Sequence, residues 1–408
     1  MYSPTCAIKA SKSTRLLNKR ICICITGSIA AIESPKVARE LIRHGAALQC
    51  VMSSDAQKII HPNCMEYATG QKVITELTGS IEHVAISGDH SEKCDLIIVV
   101  PATSNTISKV SAGIEDTPVT SVVSTAIGSN IPIAFVPAMH ISMYKNEILK
   151  ENIQKLKNRG IFVLDPYIDE NKAKLPSNDD IVDLVFNVLS KKDLENKKIL
   201  ITGGPTQSVI DPIRFITNKS SGKMGIALAK ASYFRGANVC LVKGTSSIAS
   251  PKYINTIDVR TYEEMYENIF LELKKGYDIV ISAAAISDFT VENPSNEKLN
   301  SKEIQTITLI PSKKIIKEIK LKYPSVFVVG FKADINSDKL EEKAFETLRD
   351  ASIDLIVAND VSKNDCGFES DTNYGYIVTK KNEIIKIPKC NKLDFSDIIL
   401  DKIKEMVG

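Results

Sequence analysis

The sequence lacks several features, and each absence argues against a class of protein. No run of 18 or more apolar residues occurs, so no segment is predicted to span a membrane. The net charge is only +3, which is too small to indicate a nucleic-acid partner. The nine cysteines include no CxxC pair, so we expect reduced thiols and a cytoplasmic protein rather than a disulfide framework.

Two nucleotide-binding signatures are also missing. No Gly-x-Gly-x-x-Gly sequence follows a predicted first strand, which argues against an NAD(P)-linked dehydrogenase, and the Walker A spacing is absent. Cys22 and Cys24 alternate with isoleucines in an apparent buried strand. A metal site on these two thiols stays open as an alternative, although no partner ligand stands nearby in the sequence.

What is present is typical of a globular protein with more than one domain. Hydrophobic residues make up 43% of the chain and charged residues 25%, and the length is 408 residues. In the first half, apolar runs alternate with helical segments, of which one is predicted from Ser34-Pro35 to His44 with Ser34 as its N-cap. The predicted strands of this half are Arg20–Thr26, Ala47–Met52, Asp95–Val100 and Ile131–Val136.

The strand–glycine–helix opening recurs in the second half. Lys198–Thr202 meets Gly203-Gly204, and a helix is predicted from Gly222 to Arg235. Further strands are predicted at Val239–Lys243, Asp278–Ser282, Val326–Gly330 and Asp354–Ala358, before a hairpin about Lys381-Asn382. The predicted fold class is therefore α/β, with two doubly wound, mostly parallel, Rossmann-like domains. The predicted boundaries are a loose N-terminal tail (1–19), a first domain (20–190), a linker (191–197) and a second domain (198–408).

Candidate site residues in the first half follow the predicted strands. Backbone N–H groups at the Gly27-Ser28 turn suit a phosphate, although a plain tight turn is an equal alternative. Polar side chains in Pro101–Thr106 and in Pro137–His140 follow two strands that are expected to lie side by side, which points to one site. His83 stands alone in a loop or helix start, where a structural role is the commoner one, but imidazole suits acid–base work.

Together, Gly27–Ala31, Pro101–Thr106, Gly113–Asp116 and Pro137–Tyr144 resemble the FMN-dependent cysteine decarboxylases, most closely the phosphopantothenoylcysteine decarboxylases. The resemblance spans about residues 20–188 and implies a flavodoxin-like domain. It implies that His83 is the catalytic base and that FMN is held by Gly27, Ser28, Ser53, Thr103 and Asn105. FMN would oxidise the cysteine thiol, so that the carbanion left by CO₂ gains a C=S acceptor.

This chain departs from that family at two places. Many members have Asn in the Pro-Ala-Met-Asn motif, where it contacts the substrate carboxylate, and this chain has His140 there, which we take as a further candidate catalytic residue. Bacterial members carry a cysteine in a flap that assists the last reduction. The matching stretch, Tyr167–Pro176, contains none.

In the second half, one long loop runs from Gly203 to Gly222, and a loop of this length is usually functional. Lys223 stands at a predicted helix N-terminus beside Ser220, Ser221 and Gly222, an arrangement that suits phosphate. A solvated surface loop is the alternative. With Ala283–Asp288, Glu297-Lys298, Gly330-Phe331 and Ala358–Ser362, this half resembles the phosphopantothenate–cysteine ligases over about residues 197–400.

That resemblance implies roles for single residues. Asn218 would stabilise an acyl-nucleotide, Lys298 would contact the triphosphate, Asp288 the nucleoside, and Phe331 the base. Two further family lysines have no obvious match, although Lys343 and Arg349 lie on the relevant helix. CTP is the usual nucleotide, and we expect Mg²⁺ to bridge its phosphates.

The two resemblances together imply a bifunctional enzyme of coenzyme A biosynthesis. CTP, 4′-phosphopantothenate and cysteine are its expected substrates, with no nucleic acid and no membrane as partners. The resemblance implies a homo-oligomer, with trimeric flavin domains and dimeric ligase domains that together build a dodecamer. An FMN-binding regulatory protein with decayed catalytic groups is the alternative from another class.

Overall fold

The structure, a computed structural model, describes residues 4–334, 340–360, 367 and 369–408. The chain divides into two compact units, Met1–Ser190 and Lys191–Gly408. No helix within these described ranges is both long and apolar enough to cross a bilayer.

The first unit is built on a five-stranded parallel sheet in the order β2-β1-β3-β4-β6. In chain order it contains β1 (Arg20–Ile25), a 3-10 helix (Ile29–Glu33), α1 (Ser34–Arg43), β2 (Ala47–Met52), α2 (Ser54–Gln57), α3 (Pro62–Thr69), α4 (Glu82–Ser87), β3 (Leu96–Ala102), α5 (Ser104–Ala112), α6 (Pro118–Gly128), β4 (Ile133–Pro137), β5 (Met139–His140), α7 (Ile141–Tyr144), α8 (Glu147–Asn158), β6 (Phe162–Val163), β7 (Tyr167–Asp169), β8 (Lys172–Lys174) and α9 (Asn178–Leu189).

Helices cover both faces of this sheet. Helices α5, α6 and α8 pack against one face of the sheet. Helices α1 and α9 pack against each other, α1 also contacts β2, and α9 also contacts β4. All seven residues of the central strand β3 are buried. This explains why the strand sequences are apolar throughout rather than alternating. The strand order reverses its direction of growth between β1 and β3, and in such sheets ligands bind beside the carboxyl ends of those strands.

The second unit contains an eight-stranded sheet in the order β13-β12-β9-β14-β17-β18-β19-β20, of which the first six strands are parallel. Its elements are β9 (Lys198–Gly203), β10 (Gln207–Val209), β11 (Phe215–Thr217), α10 (Lys223–Phe234), β12 (Asn238–Lys243), β13 (Asn255–Asp258), α11 (Tyr262–Leu273), β14 (Ile279–Ser282), β15 (Phe289–Val291), β16 (Leu309–Pro311), α12 (Ile315–Lys322), β17 (Phe327–Asp334), α13 (Leu340–Ala351), β18 (Leu355–Asp360), β19 (Thr372–Thr379), β20 (Ile384–Asn391) and α14 (Lys392–Val407). The predicted fold class, two doubly wound and mostly parallel domains, is confirmed.

The described part of the N-terminal segment is anchored, so the expectation of a loose tail is wrong for residues 4–19. The backbone N–H of Ala10 donates to the Ile42 carbonyl (3.0 Å), and that of Leu16 donates to the His44 carbonyl (2.8 Å). The physical reason is that the last carbonyls of a helix have no partner within it, and this segment supplies donors at the end of α1.

The predicted helix start at Ser34 needs a correction too. A 3-10 helix fills the expected loop after Gly27 and runs directly into α1, so Ser34 lies inside helical structure and is not an N-cap. Its hydroxyl instead donates to the Val100 carbonyl on β3 (3.0 Å). Residues 191–197, expected as a linker, lie within the second unit, where the Asp193 carboxylate accepts from Arg235 Nε (2.8 Å).

Cys22 and Cys24 lie in the apolar core and not at a metal site. Both are fully buried, and their Sγ atoms are 3.7 Å apart. The contact with Cys24, together with burial, raises the pKa of the Cys22 thiol well above its usual value, which keeps it protonated. Among the described residues, no group of three or more His, Cys, Asp or Glu side chains is placed to hold a metal ion.

Two glycines allow α10 to approach β9 closely. A Cβ atom on Gly225 would lie 2.6 Å from the Cα atom of Gly203, which is backbone and cannot rotate away. The first turn of α10 therefore lies directly against the end of the strand that opens the second sheet. This contact resembles the helix–strand packing that a glycine permits in dinucleotide-binding folds.

Gly225→Ala should destabilise the second unit. Alanine favours helix by about 1 kcal/mol, but overpacking typically costs about 1–3 kcal/mol. Because the clash is with backbone, we expect a cost near the upper end of that range and a net loss of up to about 2 kcal/mol. Urea unfolding followed by circular dichroism measures it. Gly128→Ala in α6, where a Cβ atom meets nothing within 4 Å, is the control. Equal losses in the two variants would contradict the close-contact explanation.

Candidate active sites

Three helices begin beside the carboxyl ends of neighbouring strands in the first unit. Ser28 follows β1 and caps the 3-10 helix, Ser53 follows β2 and caps α2, and Thr103 follows β3 and caps α5. Each side chain accepts from one backbone N–H of its helix, at 3.2–3.4 Å. The remaining N–H groups of these first turns have no partner within their helices, so the three starts together favour an anion.

The strand ends are tied to one another by short polar side chains. Thr26 Oγ1 donates to the Pro101 carbonyl (2.7 Å) and accepts from the Thr103 N–H (3.0 Å). Ser28 Oγ donates to the Ala138 carbonyl (2.9 Å). A Cβ atom on Gly27 would lie 2.5 Å from Asp55 Cβ, so glycine is required for the first turn of α2 to come this close.

A cavity of about 530 Å³ lies beside these strand ends, within the usual size range for small-molecule sites. Its walls are mostly apolar, with polar side chains in a minority. It is lined by residues 27–30, Glu33, Thr103, Ser104, 138–140, Met143 and 172–175. The two Pro-Ala strand ends meet here as expected, since Ala102 is the register partner of Pro137 on the neighbouring strand.

The stretch that lacks the flap cysteine forms a β-hairpin along this cavity. Strands β7 and β8 pair with each other, and β8 also pairs with β5, which places Lys172 directly opposite His140. The turn residues Glu170 and Asn171 both have positive φ (45° and 59°), as a two-residue hairpin turn of type I′ requires. Residues 172–175 thereby line one side of the cavity.

The predicted residues of the first unit are only partly brought together. Gly27, Ser28, Thr103 and His140 line the cavity. Ser53 caps the neighbouring helix, and Asn105 lies exposed in the first turn of α5.

His83 is not among the cavity-lining residues of its own chain. It lies half-buried on α4, and its Nδ1 atom is buried without a hydrogen-bond partner among the described residues.

Sequence reasoning missed other contributors to this site. Met143 and the pair Lys172 and Lys174 line the cavity but were not singled out. Lys174 is held by ion pairs with Asp169 (2.8 Å) and Glu170 (3.0 Å) at the hairpin turn. The glutamate–asparagine turn between two short strands was the available signal for the hairpin.

In the second unit, Asn218 joins the loops that follow the two central strands. It ends the hairpin of β10 and β11, and its Nδ2 atom donates to the carbonyls of Ala285 and Ile286 (3.2 Å each). Those carbonyls belong to the segment that follows β14, the neighbour of β9 at the point where the strand order reverses. Asn218 therefore lies where ligands bind in such sheets.

The predicted phosphate loop is preformed, although its lysine is already paired. Gly222 (φ +76°) precedes α10 and has no side chain to cap it, and the first N–H of the helix, that of Lys223, donates to Ser221 Oγ (3.5 Å). Lys223 Nζ donates to Asp371 Oδ1 (2.6 Å) and to the Glu369 carbonyl (2.8 Å). This pairing lowers the pKa of the Asp371 carboxyl. Ser221 is fixed through its carbonyl, which accepts from Ser246 Oγ (2.7 Å).

The remaining predicted residues of this unit lie on separate elements. The Asp288 carboxylate is paired with Lys314, and the Asp288 carbonyl accepts from the Ser312 N–H (2.8 Å). Phe331 lies half-buried on β17, and Lys298 lies exposed in the segment 293–302.

Two predicted features of this unit are only partly covered by the structure. Lys343 and Arg349 lie on α13, as expected. The last two residues of the motif Ala358–Ser362 lie outside the described residues.

The fold and the two clefts define a tandem of flavoprotein-like α/β domains. Residues 9–190 match the family described as flavoprotein, and residues 194–407 match the family described as DNA/pantothenate metabolism flavoprotein C-terminal domain.

Curated relatives match over nearly the full length. The chain is 47% identical to the coenzyme A biosynthesis bifunctional protein CoaBC of Thermococcus kodakarensis, over 98% of both chains. It is 39% identical to the protein of the same name from Methanocaldococcus jannaschii, over 99% of this chain and 98% of the relative. The chain therefore belongs to the family of coenzyme A biosynthesis bifunctional proteins.

Two solved structures are similar to one half each. The C-terminal domain of a coenzyme A biosynthesis bifunctional protein CoaBC is 31% identical, with a TM-score of 0.46, and covers 53% of this chain and 98% of its own. Peptidyl-cysteine decarboxylase EpiD is 26% identical, with a TM-score of 0.36, and covers 41% of this chain and 98% of its own.

Proposed function

We propose that this chain makes 4′-phosphopantetheine in two steps of coenzyme A biosynthesis. The second unit would join cysteine to 4′-phosphopantothenate at the expense of CTP, and the first unit would decarboxylate the product with FMN. The observation that carries the proposal is the full-length similarity to bifunctional relatives, in a chain that retains both His83 and Asn218. Retention of these residues favours an enzyme over a regulatory protein with decayed catalytic groups.

The first cleft fits FMN. Three helix starts offer backbone N–H groups for the phosphate, and the close approach at Gly27 keeps two of them together. The mostly apolar cavity, with Met139 and Met143 in its wall, suits a flat ring system. We assign Gly27, Ser28, Ser53, Thr103 and Asn105 to this cofactor. When bound, FMN would supply the reversible oxidation of the cysteine thiol that allows CO₂ to leave.

The protein's own contribution in this unit is to move a proton and to hold the substrate carboxylate. His83 would take the thiol proton, and His140 would bind the carboxylate from the cavity wall. Because His83 does not line the cavity of its own chain, we infer that a neighbouring copy supplies it. This arrangement agrees with the trimer that the resemblance implies, in which FMN lies at the subunit contact.

His83→Asn should keep the yellow flavin colour and lose CO₂ release by about 10²–10⁴-fold, the usual contribution of a general base. The flavin spectrum and ¹⁴CO₂ release from phosphopantothenoylcysteine measure the two effects. His61→Asn is the control, because His61 is an exposed helix N-cap and Asn is a good replacement there. Normal turnover in His83→Asn would exclude His83 as the base.

The second cleft suits carboxylate activation. A carboxylate oxygen would attack the α-phosphorus of CTP and expel pyrophosphate, and the cysteine amine would then displace CMP. Lys298 and the α10 start with Ser220–Lys223 would hold phosphates, Asp288 the nucleoside and Phe331 the base. Mg²⁺ would arrive with the triphosphate, since the described residues offer no ready-made carboxylate cluster for it.

Asn218→Asp should lower pyrophosphate release at least about 100-fold with cysteine saturating. An aspartate cannot donate to the carbonyls of Ala285 and Ile286, and its charge would repel both them and the acyl-nucleotide. A pyrophosphate assay with CTP and 4′-phosphopantothenate measures the loss. Asn238→Asp, at the exposed start of β12, is the control. Unchanged ligation in Asn218→Asp would end this assignment, and no pyrophosphate from the unsubstituted chain would remove the ligase function.

The second unit also carries an exposed apolar surface that favours a dimer. The hairpin of β10 and β11 packs beside β15, which pairs with β16. Phe215 is 48% exposed and Phe289 50%, and Val209, Ile216, Leu309 and Ile310 are exposed beside them. Exposed apolar side chains clustered on neighbouring strands mark an interaction site, and we propose a second copy of this unit as the partner.

Phe215→Lys should break the contact between ligase units while sparing the contact between flavin units. If both contacts form, light scattering should show the mass fall from a dodecamer to a trimer. Leu321→Lys, which changes an exposed leucine on α12 outside the patch, is the control and should keep the larger mass. Equal masses for Phe215→Lys and the unsubstituted chain would remove the patch from the interface.

A further inference from the structure

Asp211 lies in the turn between β10 and β11, and its carboxylate is fully buried. One oxygen, Oδ1, accepts from the backbone N–H groups of Ile213 (2.8 Å) and Arg214 (2.7 Å), which shapes the turn itself. The other oxygen, Oδ2, accepts from the backbone N–H of Leu299, at 3.2 Å. Leu299 is 88 residues further along the chain and directly follows Lys298.

The same turn holds the segment 293–302, called the Lys298 segment below, at two more points. Arg214 Nη2 donates to the Leu299 carbonyl (3.0 Å), so Asp211 and Arg214 hold both the N–H and the C=O of one residue. The Ser295 N–H donates to the Ile210 carbonyl, at 2.8 Å. Oδ1 accepts only within the turn, whereas Oδ2, which lies 3.5 Å from Arg214 Nε, also accepts from a separate loop.

The charge state of the carboxyl agrees with this use. Burial raises the pKa of Asp211, but three backbone N–H donors and the Arg214 charge outweigh burial and lower the pKa below its usual value. The charged form is therefore present throughout the neutral range, and the bonds that depend on it weaken only as the pH falls through that lowered pKa.

We propose that Asp211 is a positioning residue that fixes the Lys298 segment against the hairpin leading to Asn218. β11 follows the Asp211 turn and ends directly before Asn218. One buried carboxylate thereby ties the group that would contact the triphosphate to the group that would stabilise the acyl-nucleotide. This inference rests on the proposed ligase function of the second unit.

Asp211→Asn separates the two uses of the carboxylate. The amide oxygen can keep the bonds within the turn, whereas an NH₂ group in the place of Oδ2 meets the Leu299 N–H, donor against donor. We expect the KM for CTP to rise about tenfold or more, with a smaller change in kcat and none in the KM for cysteine. Decarboxylation of supplied phosphopantothenoylcysteine should not change.

Trypsin gives a readout that does not depend on activity. Cleavage after Lys298 should be several-fold faster in Asp211→Asn than in the unsubstituted chain, at an unchanged melting temperature, and saturating CTP should narrow the difference. Leu299→Pro removes the same hydrogen bond from its donor side and should raise the KM for CTP in the same way. Trypsin does not cleave a Lys–Pro bond, so its cleavage in this variant is followed after Lys302 of the same segment. Asp350→Asn, on the exposed side of α13, is the control.

The outcomes separate this proposal from the ligase function. If the unsubstituted chain releases pyrophosphate from CTP, while Asp211→Asn shows an unchanged KM for CTP and unchanged trypsin cleavage, the positioning role is wrong. A lower melting temperature with equal changes in every kinetic constant would make Asp211 a folding residue and also overturn it. If the unsubstituted chain releases no pyrophosphate, the ligase function fails, and the trypsin comparison alone decides whether Asp211 holds the segment.

Discussion

Both clefts depend on one constraint, which is that the strands of a parallel sheet end at the same edge. In the first unit, the loops after β1, β3 and β4 meet there, and Thr26 and Ser28 bind the neighbouring strand ends through short side chains. In the second unit, the loops after β9 and β14 meet in the same way through Asn218. Because these strands are buried and paired on both sides, their ends are fixed in position. The loop residues that directly follow them are therefore held in place as well.

The two units use this edge differently. The first presents helix starts, whose N–H groups are part of the backbone and need no rearrangement to meet an anion. The second presents charged side chains that form ion pairs with other parts of the same unit, Lys223 with Asp371 and Lys314 with Asp288. A preformed backbone cradle suits a cofactor that stays bound through many turnovers. If Lys223 holds a phosphate as proposed, that phosphate replaces an existing partner of the lysine, which lowers its net affinity and favours product release.

The sequence predicts the sheets and the places of the clefts because both rest on local signals. Apolar β-branched runs followed by glycine mark the strand ends, and the strands Arg20–Ile25 and Lys198–Gly203 lie where such runs stand. The sequence points to Ser28, Thr103 and His140 because each stands within three residues of the end of a sheet strand. The prediction of a loose N-terminal tail fails for a related reason. This segment donates backbone hydrogen bonds to the end of α1, and such long-range contacts leave no periodic pattern in the sequence.

Contacts across long sequence separations are also what the sequence could not show at the clefts. Asp211 was visible only as part of a polar turn, and nothing in its neighbourhood indicates a bond to Leu299. The sequence predicts Lys223 as a phosphate ligand, but it gives no sign of the ion pair between Lys223 and the Asp371 carboxylate, 148 residues away. A buried carboxylate that accepts three hydrogen bonds is costly to leave unpaired, so its partners must form together with the fold. For this reason the hydrogen bonds that join the loops of the second cleft are found by accounting for buried polar groups, whereas the candidate ligand-binding residues are predicted from the ends of the strands.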